Sequence, residues 1–200
     1  MESLQLVRRV AVALTLAGAL ASASALALAQ TSGTPERYTA LAVNMSNVGR
    51  PGAETVEIAV ERWSTDADRD RLIKTLLDKG PEKLLDTLQD LPRVGYFRTP
   101  NSIGYDLHYA RKNPLPDGGE RVVLATDRRI GMWEAVNRPR TIDYPFTIIE
   151  LHLNRDGEGE GKLSLATKIT VDKESNTVVL EDYANQPVML QSVKREQRSE

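Results

Sequence analysis

Apolar and polar residues alternate along most of this chain, and the exceptions are as informative as the rule. From Thr55 to Trp63, Val56, Ile58 and Val60 interleave with Glu57, Ala59 and Glu61, the period-two signature of a half-buried strand. The same period predicts strands over Arg37–Met45, with Thr39, Leu41, Val43 and Met45 sharing a face, and over Phe146–Asn154, with Ile149, Leu151 and Leu153 sharing one. Further strands are expected at Val94–Thr99, Ile103–Tyr109, Arg121–Thr126, Lys162–Asp172, where Leu163, Leu165, Ile169 and Val171 alternate, Thr177–Tyr183 and Val188–Val193. Turn residues separate them: Pro100-Asn101-Ser102, Pro114 to Gly119, Arg155 to Gly161, and Ser175-Asn176.

The period changes once, between Ser64 and Pro92. Ser64 and Thr65 are helix-capping residues, and Asp68 follows Thr65 by three, as in a capping box. Leu72, Ile73, Leu76 and Leu77 recur at helical spacing. Gly80 ends that helix, Pro81 opens another, and Leu84, Leu85, Leu88 and Leu91 make its stripe before Pro92 stops it. Residues 66–91 are thus read as a helical pair inserted among strands. Strands joined by short turns pair antiparallel, and such sheets persist when closed or stacked. The expectation is a mainly β domain (α+β as the alternative), an antiparallel sandwich or barrel of about nine strands with an inserted helical pair.

The N-terminus follows neither period. Arg8 and Arg9 precede an uncharged run from Val10 to Ala29 that ends in the small-residue site Ala27-Leu28-Ala29. That layout is a cleavable export signal over residues 1–29, followed by a flexible lead-in at 30–36, a single domain over 37–193 and a charged, frayed tail at 194–200. The rival is an uncleaved anchor, for which the Ala- and Ser-rich second half of the run is poorly suited. Nothing after Ala29 is apolar enough to span a bilayer as a helix, so no membrane span is expected after cleavage, and the product is placed in the periplasm or outside the cell.

Composition narrows the chemistry. The chain has no cysteine, which rules out disulfides, thiolate nucleophiles and Cys-ligated metal sites. The formal net charge is −2, and removing two arginines and one glutamate with the leader makes it −3. That balance argues against nucleic acid as a partner. A chain of this length can bury roughly 70% of the surface its unfolded form exposes, enough for one core without cross-links.

A resemblance rests on five stretches. Arg62-Trp63-Ser64-Thr65-Asp66-Ala67-Asp68-Arg69, Pro92-Arg93-Val94-Gly95-Tyr96, Leu124-Ala125-Thr126-Asp127-Arg128, Ile142-Asp143-Tyr144-Pro145-Phe146-Thr147 and Gly161-Lys162-Leu163-Ser164-Leu165-Ala166-Thr167 resemble a set of exported bacterial proteins of unknown function. The similarity covers roughly residues 37–193 and implies a bacterial exported protein; it supplies no activity, cofactor or site residue.

Candidate chemistry is sparse. His108 and His152 lie on separate strands, the second beside Glu150, and a periplasmic hydrolase or metal enzyme built on the pair is one reading. The plainer one is two polar-face strand residues. No G-x-S-x-G motif is present, Ser64 reads as a cap, and no phosphate-cradling loop follows a strand. Asp156 to Gly161 resembles a cation loop but places Thr167 where an EF-hand needs Glu, so a hairpin turn explains it better. No cofactor is called for. The densest cluster is Arg128, Trp133, Arg138 and Arg140 in the irregular stretch 127–145, with Arg62 and Trp63 at the mouth of the helical insert. These six are the candidate ligand-binding residues, for a small anionic ligand or an envelope protein. The competing account puts Trp133 in the core and pairs the arginines with surface acids. The functional expectation is a non-enzymatic binding or interaction module of the bacterial cell envelope.

Overall fold

The computed structural model describes residues 33–44, 52–100, 102–128, 130, 146–164, 168–172, 177–181 and 188–196. The described strands are β1 (Glu36–Asn44), β2 (Ala53–Val60), β3 (Gly95–Arg98), β4 (Tyr105–Pro114), β5 (Glu120–Thr126), β6 (Ile148–Leu153), β7 (Glu158–Ser164), β8 (Lys168–Asp172), β9 (Thr177–Glu181) and β10 (Val188–Arg195). Eight of them close into an antiparallel barrel in the order β1-β10-β7-β6-β5-β4-β3-β2, while β8 and β9 pair as a separate two-stranded sheet. Of the two architectures open from the sequence, closure wins over stacking: β1 pairs with β2 on one side and β10 on the other, leaving no free edge in the ring.

An eight-stranded barrel is just wide enough for side chains to fill, and this one is filled. Val56, Ile58, Phe97, Leu107, Leu124, Ile149, Leu151, Leu163 and Leu190 point inward and are fully or almost fully buried. In β1 the inward face is Tyr38, Ala40 and Ala42, so the expected face is reversed: Leu41 looks outward and is 38% exposed. The barrel takes up one large ring and two small residues there, and interior volume overrides the apolarity of Leu41. Ile130, from the irregular stretch, drops into the same core, its N–H donating to Thr147 Oγ1 at 3.0 Å.

The expected strand over 162–172 divides into β7 and β8, which belong to different sheets. The turn expected at Arg155–Gly161 shrinks to Asn154–Gly157, where Gly157 N–H donates to Asn154 O and Asn154 N–H to Glu158 O. Gly157 has a φ of 77°, whereas Gly159 and Gly161 are strand residues. A Cβ on Gly159 would stand 1.9 Å from His152 O, so glycine there reflects close approach of β6 and not turn geometry. Strand β10 continues through Lys194 and Arg195, two residues beyond the expected end.

The insert is helix α1 (Asp66–Lys79), a 3-10 turn (Pro81–Lys83) and helix α2 (Leu84–Asp90). Thr65 caps α1 with a complete box: Asp68 N–H donates to Thr65 Oγ1 at 3.1 Å, and Thr65 N–H donates to Asp68 Oδ2 at 2.9 Å. Ser64 is not the cap. Its N–H donates to Ala110 O at 2.8 Å and its hydroxyl oxygen accepts from Ala110 N–H at 3.0 Å. The pairing of β3 with β4 ends at Leu107, so Ser64 stands in for the missing strand partner. Among the described residues no helix is long and apolar enough to cross a membrane.

Candidate functional site

The helical pair lies against the outer wall of the barrel, on β4, β5 and β6. Strand alternation and one local irregularity together put an apolar surface there. A register shift between Leu107 and Tyr109 reverses the phase of β4, sending Leu107 and Ala110 inward and Tyr109 outward. Val123 and Ala125 of β5 and Ile148 of β6 then extend an outward apolar strip beside Tyr109. Leu72 and Leu76 of α1 and Leu84 and Leu88 of α2 cover it from the other side, and Phe146 closes one edge.

The fit is incomplete. A half-open cleft with room for about 60 Å³ remains between helices and wall, apolar on almost every side, with Arg69 at its rim. The helices are held off the wall by polar ties at the ends of the insert. Besides the Ser64–Ala110 pair, Arg111 Nη2 meets Asp66 Oδ1 at 2.7 Å at the first turn of α1. At the far end His108 Nδ1 stands 2.8 Å from Leu91 O, and Gln89 Nε2 donates to Asp127 O at 3.4 Å. Buried Thr75 and Thr87 satisfy each other across the two helices at 3.1 Å.

Tyr109 is the polar group of this wall. Burial pushes its phenol up to about 12, and Arg111, Arg69, Asp68 and Asp66 are the charges that face it. Arg69 itself is engaged by Asp70 at 2.7 Å and Asp66 at 3.1 Å.

Of the residues singled out from sequence, three are described, and they stand at two ends of the barrel. Trp63 stands at the end of the barrel where β1 starts: its indole N–H donates to Thr34 O at 3.1 Å, and Lys112 Nζ lies 4.9 Å from its ring. Arg62 beside it donates to Arg93 O and Pro92 O. Arg128 stands at the opposite end, over the ring of Tyr105, the residue that starts β4. Arg62 and Trp63 are therefore not neighbours of Arg128. Trp133, Arg138 and Arg140 lie outside the described residues.

The two histidines are also apart. His152 is level with Arg121 and Asn113, five residues along β4 from His108, which at about 3.4 Å per residue is roughly 17 Å. His108 is held by Leu91 O, with Asp127 Oδ2 3.8 Å from its other nitrogen. His152 Nε2 contacts Glu150 Oε1 at 2.6 Å. Glu150 is on the outer wall yet only 5% exposed. Burial alone would raise its carboxyl, but the hydrogen bonds from Arg121 and His152 and the charges of Arg121 and Lys162 hold it below the usual range. This is a closed ion-pair group with a structural role. Among the described residues no three His, Asp or Glu side chains group as metal ligands do.

A second polar group fills the barrel mouth. Tyr38 donates to Glu36 at 2.5 Å, Lys112 meets the other Glu36 oxygen at 2.5 Å, and Arg195 bridges Glu36 and Glu120. Two carboxylates and two cations neutralise one another there, so the described residues at this end of the barrel close on themselves.

Sequence reasoning missed Tyr109 and the cleft. The usable signal was His108 breaking the rhythm between two apolar neighbours, followed by Ala110, where strict alternation puts Leu107 and Tyr109 on one face. Compared with known proteins, the chain matches no family model, no curated protein and no solved structure.

Proposed function

We propose that this chain is an exported, non-enzymatic binding module of the bacterial cell envelope whose recognition surface is the apolar cleft between the helical insert and the barrel wall. One observation carries this choice of surface: the barrel interior is filled with side chains and its mouth with ion pairs, whereas the helix–wall junction keeps an apolar opening. Binding sites are typically concave and apolar with few polar groups, and the cleft fits that description. The export half of the reading rests on the charge, apolarity and small-residue layout of residues 1–29. The small anionic ligand expected from the arginine cluster is not assigned to this cleft, because the arginine at its rim, Arg69, is paired with Asp66 and Asp70.

The test is a titration with xenon under pressure, followed by two-dimensional NMR and by thermal melting. Xenon, a small apolar atom, should shift resonances of Leu88, Ala125 and Ile148 and raise the melting temperature by mass action. Ala125→Leu, which fills the cleft from the wall, should abolish both effects, and so should Leu76→Arg at its half-buried rim. Shifts confined to the barrel interior, or unchanged binding in both variants, would contradict the proposal.

A further inference from the structure

Closure removes free edges from the barrel, but β8 and β9 stand outside the ring. They leave it between β7 and β10, and among the described residues each pairs only with the other. Each strand therefore keeps one row of backbone N–H and C=O groups with no strand partner among the described residues. Two strands of five residues make a marginal sheet in water, and further strands stabilise it. An unpaired edge is a template for strand addition.

The register shows what the β8 edge selects. Ile169 is opposite Leu180 and Val171 opposite Val178, so these four share one face of the hairpin. Lys168, Thr170 and Asp172 share the other face with Glu181, Val179 and Thr177. Along β8 the order is Lys168-Ile169-Thr170-Val171-Asp172, with charges of opposite sign equidistant from Thr170. An antiparallel second copy of β8 centred on Thr170 puts Lys168 of each chain opposite Asp172 of the other. It also puts Ile169 opposite Val171, and Thr170 opposite Thr170. Opposite charges and threonines directly across an antiparallel pair are favourable. Centring the pair on Ile169 or Val171 takes both charges away from their counterparts. A slip of half that size sets the apolar face of one copy against the polar face of the other. Strand β9 has no such symmetry: centred on Val179, its one charge, Glu181, falls opposite Thr177.

We infer that β8 is a self-association edge, on which a second copy of this chain adds its own β8 across a two-fold axis. The product is a four-stranded sheet in the order β9-β8-β8-β9, with the apolar faces of the two hairpins continuous. Such an interface is isologous, each copy giving the same residues. Sedimentation equilibrium of the protein should show reversible exchange between monomer and dimer. Asp172→Lys places like charges at both crossings. Lys168→Asp combined with Glu181→Lys does the same with the other sign, while keeping opposite charges at positions 168 and 181 within the hairpin. Each variant alone should dimerise about tenfold more weakly than wild type. An equimolar mixture of the two restores opposite charges at both crossings and should form a heterodimer with wild-type affinity. That recovery separates lost charge pairing from lost folding, since misfolded hairpins do not rescue each other. A wild type that stays monomeric at millimolar concentration, a variant that dimerises as wild type does, or a mixture that associates no better than its parts overturns the inference.

Discussion

At the scale of single residues, burial has acted on several phenols in the same direction. Burial pushes Tyr109 up to about 12 and, with the Glu36 hydrogen bond, raises Tyr38 further; burial and the bond to Glu57 raise Tyr96. A phenol whose folded value exceeds its unfolded value near 10 holds its proton longer in the native state. Its contribution to stability is therefore complete below about pH 10 and is lost as pH rises through its folded value. For Tyr109 that window is about pH 10 to 12, with a slope of about 1.4 kcal/mol per pH unit where only the unfolded chain is ionised. Denaturant melts across this window, read beside tyrosinate absorbance, should show stability falling before the native protein develops the signal of its buried tyrosines. If all six tyrosines titrate together near pH 10 while the protein remains folded, the burial assigned to Tyr38 and Tyr109 is wrong.

At the scale of elements, the strands and helices were legible wherever one period held for several residues. Val56-Ile58-Val60 and Ile149-Leu151-Leu153 face inward as their alternation requires. The capping box at Thr65 and Asp68 forms as its spacing requires. The failures fall where two residues of similar apolarity compete for a face, as Ala40 and Leu41 do, or where the ladder slips, as at Tyr109 and again before Val193. A one-residue slip exchanges inside for outside, and composition does not announce it. Gly159 and Gly161 misled for a related reason: glycine marks a turn when φ must be positive and a strand contact when another backbone comes close, and the two look alike in sequence. The leader is the element whose role rests on sequence alone. Its Ala27-Leu28-Ala29 site predicts that protein recovered from outside the cytoplasm begins at Gln30; intact-mass analysis finding Met1 in that fraction would contradict cleavage, and full-length protein confined to the cytosol would remove the export reading.

At the scale of the whole molecule, the sheet and the insert divide the work. Closure of the sheet makes a rigid body without cysteine, its interior packed and its mouth neutralised by Glu36, Lys112, Glu120 and Arg195. The helices do not complete that core. They form a second apolar layer on the outside and meet the wall imperfectly, because polar ties at Ser64, Asp66 and Leu91 set where they sit. Such a layer was foreseeable as two leucine stripes needing a surface, but the surface itself required the phase change in β4. The broken rhythm from His108 to Ala110 was accordingly the one mark of the candidate site in the sequence: the site is made by the meeting of a helix stripe with the outer side of a strand. Xenon-pressurised crystals of the protein test this division directly, since a small apolar atom seeks dry apolar space. Density is predicted between Leu88 and Ile148, with none inside the barrel. Xenon within the barrel, or none at the helix–wall junction, would contradict the account.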